Sequence, residues 1–197
     1  MKELWDTRYK SEEFIYGLEP NDFLKSYLTD VTPGKILLPG DGEGRNAVYA
    51  AKLGWDVTAF DYSDSAKDKA VRLAVLNNVQ INYYTIDVES FNFNEKFDLI
   101  SIIYLHLHPT VRSNFHKRLS EFLNPGGKVL LECFSKSQIK NSSGGPKSPD
   151  LLYDIAQIKK DFSNYKIEML EQTEIDINEG HLHQGKASVI RMIAQKI

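Results

Sequence analysis

The chain of 197 residues is 42% hydrophobic and carries 24 Lys and Arg against 27 Asp and Glu, a formal net charge of −3 at pH 7. This length favours one domain, and the charge balance argues against a broad electrostatic grip on nucleic acid. A single cysteine excludes an intramolecular disulfide, and neither a membrane-spanning run nor a signal-peptide stretch is present, so we expect a cytoplasmic protein with no membrane partner.

The N-terminal segment is rich in aromatic residues. Residues 1–19 contain Trp5, Tyr9, Phe14 and Tyr16, and a helix is predicted over 21–29 after Pro20. Two interpretations stay open at this point. The segment is either an arm that packs on the domain or a flap that closes over a ligand.

Apolar β-rich segments alternate with helical patterns between residues 35 and 134. Strands are predicted at 35–38, 57–60, 81–86, 97–104 and 128–134, and helices at 45–53, 63–77 and 109–123. The sequence Asn-Pro-Gly-Gly at 124–127 breaks the chain before the fifth strand. Such alternation predicts right-handed crossovers and a parallel sheet that is covered on both faces.

The C-terminal part follows a different pattern. A polar loop at 141–149 precedes a predicted helix over 150–161, and two long strands are predicted at 165–177 and 186–196. The segment that joins these strands is too short for a helical crossover. We therefore expect them to pair antiparallel.

The first strand runs into a glycine-rich loop. Gly40, Gly42 and Gly44 allow positive φ and a close backbone approach to a ligand, and the loop opens onto a helix N-terminus that attracts polar ligand atoms. The dinucleotide fingerprint requires glycine at the position of Arg45. The remaining pattern, G-x-G-x-G, differs from both the dinucleotide and the nucleoside-triphosphate loops.

Acidic residues follow the next two strands. Asp61 lies 21 residues after Gly40, where a carboxylate can accept hydrogen bonds from both ribose hydroxyls, and Asp87 could accept from an adenine amino group. Alternatively, Asp61 caps the next helix and Asp87 sits in a turn. Three such sites at consecutive strand ends favour a nucleoside-type ligand.

These features give the chain a family resemblance. It resembles class I S-adenosylmethionine-dependent methyltransferases in its glycine loop, in Asp61 and Asp87, and in the sequence Leu-Asn-Pro-Gly-Gly at 123–127. More narrowly, it is similar to the bacterial tellurite-resistance and thiopurine methyltransferase-like proteins. Four segments carry this likeness, namely W-D-x-R-Y at 5–9, Y-G-x-E-P-N at 16–21, G-G-P-K at 144–147 and E-G-x-x-H-x-G at 179–185.

The resemblance implies a fold and a set of partners. The fold would be a Rossmann-like, doubly wound α/β sheet of seven strands in the order 3-2-1-4-5-7-6, with an antiparallel last strand and three α/β/α layers. Residues 1–197 would form a single methyltransferase domain, with 1–30 as a lid and 31–197 as the core. The cofactor would be S-adenosyl-L-methionine, and the partner a small-molecule methyl acceptor. Apart from the resemblance, we expect a monomer and no nucleic-acid partner.

The resemblance also implies which residues hold the cofactor. They are Tyr9, Tyr16, Gly40, Asp41, Gly42, Gly44, Arg45, Asn46, Asp61, Tyr62, Asp87, Val88 and Tyr104. Pro39 stands where the family often has an acid, so either Asp41 takes over that role or main-chain carbonyls hold the amino group of the cofactor. The aromatic rings of the arm would stack over the cofactor or attract its sulfonium.

Candidate catalytic residues are His106, Glu132 and His183. The first follows the fourth strand and either contacts the substrate, acts as a base, or bonds a loop carbonyl. Glu132 lies inside an apolar strand, which suggests a role in a pocket or an ion pair with Arg191.

His183 lies in the last hairpin, near Glu179 and His181. That hairpin either gates the substrate, binds a metal or forms a surface turn, and we expect no metal there. The loop at 141–149 is long and polar enough to be a second lid.

The leading hypothesis is methyl transfer from S-adenosylmethionine to a small-molecule or soft-anion acceptor by in-line displacement. One alternative is a non-catalytic cofactor-binding module. Another is a nicotinamide-dependent oxidoreductase, which Arg45 disfavours. A base-methylating enzyme is also disfavoured, because the segment after the fourth strand lacks the Asn/Asp-Pro-Pro-Tyr motif typical of such enzymes.

Overall fold

Helices and strands alternate along most of the chain, as the sequence predicts. The structure is a computed structural model that describes residues 2–197, with the backbone alone at Lys2 and Leu4. The elements in order are α1 (Lys2–Tyr9), α2 (Asp22–Thr29), β1 (Lys35–Pro39), α3 (Arg45–Lys52), β2 (Asp56–Asp61), α4 (Asp64–Leu76), β3 (Asn82–Thr85), β4 (Phe97–Ile103), α5 (Pro109–Phe122), β5 (Leu123–Phe134), α6 (Ile155–Asp161), β6 (Tyr165–Asn178) and β7 (Gln184–Lys196). Two 3₁₀ turns lie at Lys136–Lys140 and Pro149–Leu151.

The strands described within residues 2–197 form one seven-stranded sheet in the order β3-β2-β1-β4-β5-β7-β6. Parallel pairing joins β1 to β2, β2 to β3 and β4 to β5. Strand β7 pairs antiparallel with both β5 and β6. The predicted Rossmann-like α/β fold, with its strand order and antiparallel last strand, is confirmed.

The chain divides into two units, which we describe separately. The first comprises residues 2–92 and 179–181. Its buried centre is formed by the apolar residues of β1 and β2, including Ile36, Leu38 and Phe60, which are at most 1% exposed. Helix α4 begins where Ser63 accepts a hydrogen bond from the Ala66 amide at 3.2 Å, so Ser63 is the cap that the sequence suggested.

The second unit comprises residues 93–178 and 182–197. Strands β4 and β5 contribute runs of fully buried residues such as Ile100, Ile102 and Leu130, as expected for strands covered on both faces. A smaller cluster joins Phe134, Leu152, Ile177, Ala187 and Val189.

The predicted helix over 150–161 is wrong in its first half. Residues Pro149–Leu151 form a 3₁₀ turn, and α6 begins only at Ile155. The backbone amide of Tyr153 donates to Phe134 and its carbonyl accepts from Lys136, which holds this residue extended beside the end of β5. Asp154 then caps α6 by accepting from the Gln157 amide at 2.8 Å. Tertiary pairing therefore overrides local helix propensity here.

The fifth strand begins earlier than predicted. It starts at Leu123, which pairs with Phe97, and the register then jumps so that Leu99 pairs with Lys128. The four residues between form an irregularity in the strand, and Gly126 adopts a φ of 76° there. The sequence Asn-Pro-Gly-Gly, which was predicted to precede the fifth strand, therefore forms a bulged segment within that strand.

The N-terminal arm contains a helix that its aromatic content did not predict. Helix α1 covers Lys2–Tyr9, and the segment from Lys10 to Pro20 is irregular. Helix α2 begins after Asn21, whose side chain accepts a hydrogen bond from the Leu24 amide at 3.1 Å.

Candidate active site

The loop between β1 and α3 has the backbone geometry that its glycines predicted. Gly40, Gly42 and Gly44 have φ values of 63°, 60° and 88°, a region that other residues rarely adopt. A Cβ built on Gly44 would lie 2.5 Å from the Cβ of Ala70 in α4. The third glycine therefore allows α3 and α4 to pack closely, while the first two shape the turn.

Asp61 ends strand β2 directly beside this loop. Its carboxylate accepts from the Gly42 amide at 3.2 Å and from the Ser63 amide at 3.0 Å, and the residue is 5% exposed. Desolvation raises the pKa of Asp61 to about 6 despite these hydrogen bonds. Each carboxylate oxygen has a second lone pair, so the side chain can still accept from a ribose hydroxyl.

Asp41 serves the first turn of α3. Its carboxylate accepts from the Ala47 amide at 3.3 Å, and desolvation raises its pKa to about 7. The side chain lies in the loop that follows Pro39. This position is compatible with the predicted substitution for the missing family acid.

The aromatic arm covers the glycine loop. Tyr9 is 6% exposed, and its hydroxyl would lie 2.7 Å from a Cβ built on Gly42. Trp5 stacks on Tyr9 with ring centroids 5.5 Å apart and contacts Tyr16 at 6.2 Å. Tyr16 accepts a 2.7 Å hydrogen bond from Arg8. Two of the four tyrosines predicted to bind the cofactor, Tyr9 and Tyr16, thus belong to one aromatic group at the loop.

A buried ion pair that the sequence did not reveal also fastens the arm. Glu43 pairs with Lys69 at 2.5 Å and accepts from the Tyr16 amide at 3.2 Å through its other oxygen. Lys69 also donates to the Glu13 carbonyl at 2.5 Å. The position of Glu43, a charged residue between two glycines of the loop, was the sequence feature that could have indicated this ion pair.

Arg45 and Asn46, both predicted to bind the cofactor, direct their side chains to the arm. Arg45 donates to the Glu19 carbonyl at 3.2 Å and to the Glu179 carboxylate at 2.8 Å. Asn46 accepts from the Asn21 amide at 2.9 Å. Their backbone still begins helix α3 beside the loop, so a backbone contact with the cofactor stays a prediction.

The residues after β2 and β3 lie at the outer part of this region. Tyr62 is half-buried, and desolvation raises its pKa, with Asp61 and Asp87 adding to the effect. Asp87 is exposed and accepts from the Glu89 amide at 2.9 Å, and Val88 is half-buried. Asp87 therefore lies in a turn, which was the alternative interpretation of this residue. Its contact with an adenine amino group stays a prediction.

Tyr83 was missed by the sequence interpretation. Its hydroxyl donates to the Gly42 carbonyl at 2.6 Å from the buried face of β3. Desolvation and the nearby Asp61 raise its pKa well above the usual range, which keeps the hydroxyl a donor. Gly42 is thus held through its amide by Asp61 and through its carbonyl by Tyr83.

The second unit contains a cluster of four rings, which we call the aromatic box: Tyr104, His106, Phe134 and His183. Phe134 is its centre, stacked on Tyr104 at 4.5 Å and on His106 at 5.7 Å between centroids. His183 meets Tyr104 and Phe134 edge-on at 5.1 and 5.3 Å. The structure therefore brings together the predicted Tyr104, His106 and His183, and adds Phe134.

Tyr104 has a backbone conformation that side-chain-bearing residues rarely adopt. Its φ is 49°, directly after β4, and its amide donates to the Glu132 carbonyl at 2.9 Å. A bulky residue in the left-handed region is strained, and this conformation persists only where the surrounding structure imposes it. Such residues cluster at functional sites.

His106 is a neutral imidazole in this environment. Desolvation, with a smaller effect of His183, lowers its pKa to about 3, although a hydrogen bond with the Leu151 backbone opposes the shift. Its Nδ1 is buried and has no hydrogen-bond partner among the residues that the structure describes. A group with so low a pKa is a weak general base at neutral pH, while an unmatched polar atom is available to a ligand.

The loop at 141–149 closes on the aromatic box. A Cβ built on Gly144 would lie 2.6 Å from a ring carbon of His183, and one on Gly145 would lie 2.8 Å from the Phe134 ring. Gln138 anchors the loop by donating to Ser143 at 2.9 Å and to the Gly144 carbonyl at 3.1 Å. Two adjacent glycines therefore let this backbone touch the rings.

Glu132 takes part in an ion pair within the sheet. It is fully buried, and its carboxylate accepts from the Arg191 guanidinium at 2.6 Å across the β5–β7 register. The structure therefore contains the ion pair with Arg191, which was one of the two roles suggested for Glu132 from the sequence.

Two further polar residues lie at the start of helix α5. His108 takes the N-cap position of this helix, and the guanidinium of Arg112 lies 4.4 Å from the centroid of the Tyr153 ring.

The described part of the chain holds no group of three His, Cys, Asp or Glu side chains suited to a metal ion. None of the helices described there is both long and apolar enough to cross a membrane.

Comparison with known proteins gives a consistent family assignment. The model of the family described as "Tellurite resistance protein TehB" matches residues 20–192. A Rickettsia bellii protein named "Ubiquinone biosynthesis O-methyltransferase" is 26% identical over 161 residues, covering 79% of this chain and 67% of that protein. "Thiocyanate methyltransferase 1" of Brassica oleracea is 30% identical over 118 residues, 57% of this chain and 50% of that protein.

The fold is shared with solved structures. The crystal structure of TehB from Haemophilus influenzae superposes with a TM-score of 0.75 at 18% identity, covering 100% of this chain and 67% of that one. The chain thus spans between one half and two thirds of the length of these three proteins.

Proposed function

The chain belongs to the TehB family, whose members are class I S-adenosylmethionine-dependent methyltransferases, and from this premise we propose that it methylates a soft nucleophile on a small molecule or anion. The observation that carries the proposal is Asp61, which ends β2 and is hydrogen-bonded to Gly42 of the glycine loop. A carboxylate fixed there is suited to accept from a ribose diol.

The donor set fits S-adenosylmethionine. Positive-φ glycines bring backbone close to a ligand, Asp61 offers acceptors for hydroxyls, and Asp41 offers a carboxylate for a cationic group. When bound, this cofactor supplies a methyl group activated on a sulfonium. The protein then has to position the nucleophile and exclude water.

The arm performs the exclusion of water in the first unit. Trp5, Tyr9 and Tyr16 form an aromatic cover, and their electron-rich faces attract a cation. The burial of Tyr9 beside Gly42 supports the lid interpretation of residues 1–30. The backbone of Arg45 and Asn46 completes the helix N-terminus.

The aromatic box is our candidate for the acceptor site. Its rings are apolar and polarisable, and His106 remains uncharged at physiological pH because its pKa is about 3. Such surroundings favour a soft sulfur or halide-like nucleophile over a strongly hydrated oxyanion. The name of the Brassica oleracea relative refers to a soft anion of this class.

We assign His106 to orientation of the acceptor rather than to proton removal. A soft anion or a thiolate is already deprotonated at working pH, so the reaction needs no general base. His183 contacts the same rings and would bound the acceptor site. We propose that Glu132, paired with Arg191, supports the strand that carries Phe134.

Calorimetric titration tests the proposal. We expect S-adenosylmethionine and S-adenosylhomocysteine to bind in the micromolar range, and NADH not to bind. Asp61→Asn should weaken this binding by roughly 1.5–3 kcal/mol through loss of charge-assisted hydrogen bonds, whereas Asp68→Asn on the exposed side of α4 should not. Tight NADH binding would instead identify an oxidoreductase.

A screen of thiols, halides and thiocyanate against oxygen and nitrogen acceptors then tests the acceptor class. Methyl transfer to the soft nucleophiles supports the proposal. Turnover confined to phenols or amines contradicts it, and cofactor binding without turnover on any class points to a non-catalytic module. Size-exclusion chromatography of the complete chain tests the expected monomer.

A further inference from the structure

The tip of the β6–β7 hairpin packs with the N-terminal arm. Residues 179–181 belong to the same unit as the arm, and the His181 amide donates to the Ile15 carbonyl at 3.1 Å. A Cβ built on Gly180 would lie 2.1 Å from the Ile15 carbonyl oxygen. Glycine is therefore needed at this tip, because any side chain would push the arm away.

Glu179 adds a buried polar connection at the same place. Its carboxylate pairs with Arg45 at 2.8 Å and accepts from the Asn21 side-chain amide at 3.1 Å. The side chains of Arg45 and Glu179 are 8% and 12% exposed. A charge pair so shielded from water is sensitive to the loss of either partner, because the remaining charge stays buried.

Arg45 and Asn21, which both contact Glu179, belong to the two segments that must separate when the arm opens. Asn21 begins helix α2 at the end of the arm, and Arg45 begins helix α3 at the end of the glycine loop. Arg45 also donates to the Glu19 carbonyl, so the same guanidinium holds the arm directly. One carboxylate from a distant hairpin thus fastens arm and loop together.

We propose that Glu179 is a positioning residue that latches the arm over the glycine loop and thereby slows release of the cofactor. This inference rests on the proposed function for the identity of the ligand, but the latch itself exists in the free protein. Glu179 need not touch the cofactor, since it acts through Arg45 and Asn21.

The first test compares Glu179→Gln with Glu174→Gln, the same change at an exposed position of β6, the strand that precedes Glu179. Stopped-flow displacement should show that S-adenosylhomocysteine dissociates roughly tenfold faster from Glu179→Gln, and no faster from the control. Amide hydrogen exchange of residues 9–20 in the free protein should accelerate in Glu179→Gln alone. Equal dissociation and equal exchange in the two variants would overturn the latch.

A second variant distinguishes loss of the contact between Glu179 and Asn21 from a general loss of stability. Asn21→Asp keeps an acceptor for the Leu24 amide but sets a carboxylate against Glu179. It should open the arm, and adding Glu179→Gln should restore slow exchange, because the new amide can donate to the aspartate. Failure of this rescue in a folded double variant would also overturn the proposal.

These readouts also separate the latch from the proposed function. Wild-type protein that binds no S-adenosylhomocysteine contradicts the methyltransferase proposal, and the exchange of the arm then decides the latch by itself. Normal binding with an unchanged dissociation rate and unchanged exchange in Glu179→Gln contradicts the latch alone.

Discussion

The hydroxyl of Tyr9 lies against Gly42 so closely that a Cβ on the glycine would be 2.7 Å from the tyrosine oxygen. The contact joins the arm to the centre of the glycine loop. Real Cβ atoms do not approach other atoms this closely, so the pair can coexist only because position 42 has no side chain. The absence of a Cβ at Gly42 therefore serves the closure of the arm as well as the turn.

Substitution of Gly42 by Ala should displace Tyr9 and weaken binding of S-adenosylmethionine by about tenfold. Gly54→Ala is the control, since Gly54 also has a positive φ, 89° against 60° at Gly42, but nothing within 4 Å of a built Cβ. Both variants should lose about 1 kcal/mol of stability from backbone strain. Titration calorimetry and thermal unfolding of the two variants measure these effects.

The double variant Tyr9→Phe with Gly42→Ala tests the cause. Removal of the hydroxyl relieves the contact, so part of the lost affinity should return. If Gly42→Ala is no worse for cofactor binding than Gly54→Ala, Tyr9 does not determine closure over the loop.

Gly144→Ala should impair the acceptor site without affecting the cofactor. A Cβ there would lie 2.4 Å from the Leu182 carbonyl oxygen and 2.6 Å from the His183 ring, so His183 must move. We expect a severalfold rise in the KM of the acceptor at an unchanged Kd of S-adenosylmethionine. Steady-state kinetics combined with calorimetry give both quantities.

Gly185→Ala is the control for this prediction. It has a φ of 107° against 114° at Gly144, but a Cβ at Gly185 would meet Ser143 at an ordinary 3.7 Å. Equal rises of the acceptor KM in the two variants would assign the effect to backbone strain and remove His183 from the acceptor site.

The raised pKa of Asp41 predicts a pH-dependent stability. Its folded-state pKa of about 7 exceeds its ordinary value of 3.8, so the folded protein binds the proton more tightly than the unfolded chain does. This group therefore reduces stability as pH rises from about 4 to 7. Asp41→Asn should gain on the wild type over that window by about 3 kcal/mol, measured by chemical denaturation at each pH. If the difference in unfolding free energy between Asp41→Asn and the wild type stays constant from pH 4 to 7, the raised pKa of Asp41 is contradicted.

Substitutions in the buried pair of Glu132 and Arg191 test whether Glu132 has a structural or a catalytic role. Arg191→Met should destabilise the protein by about 3 kcal/mol, because it removes the positive charge beside the buried Glu132 carboxylate. The double variant Glu132→Leu with Arg191→Met should recover most of this loss and keep methyl transfer. A stable double variant that has lost activity would instead place Glu132 in the catalytic site.

Local patterns were sufficient for the alternation of strands and helices and for the backbone of the glycine loop. The glycine spacing predicted a positive-φ loop, and Asp61, expected at the end of the second strand, lies beside that loop. Both follow from the geometry of a parallel strand, a turn and a helix, in which neighbouring positions determine each other. The antiparallel end of the sheet was predictable for the same reason, because a short connection permits no crossover.

Most side-chain partners across long sequence separations were not predictable; the ion pair of Glu132 with Arg191 is the exception, since the sequence suggested it as one of two alternatives. Arg45 looked like a cofactor residue because of its position, yet its guanidinium binds Glu179, a partner 134 positions away. Phe134 carried no sequence signal, although it is the centre of the aromatic box. The first half of the predicted helix over 150–161 was lost to pairing of Tyr153 with the end of β5.

By itself, the sequence determined the alternation of strands and helices and the backbone of the glycine loop, since these depend on short-range spacing and backbone conformation. Its motifs also carried the family resemblance, and that resemblance implied the order of the strands. Only the tertiary structure decided which side chains are desolvated together. Burial lowers the pKa of His106, raises those of Asp41 and Asp61, and pairs Glu132 with Arg191. Such properties depend on the dielectric and the partners that distant segments supply, and no local pattern of residues encodes them.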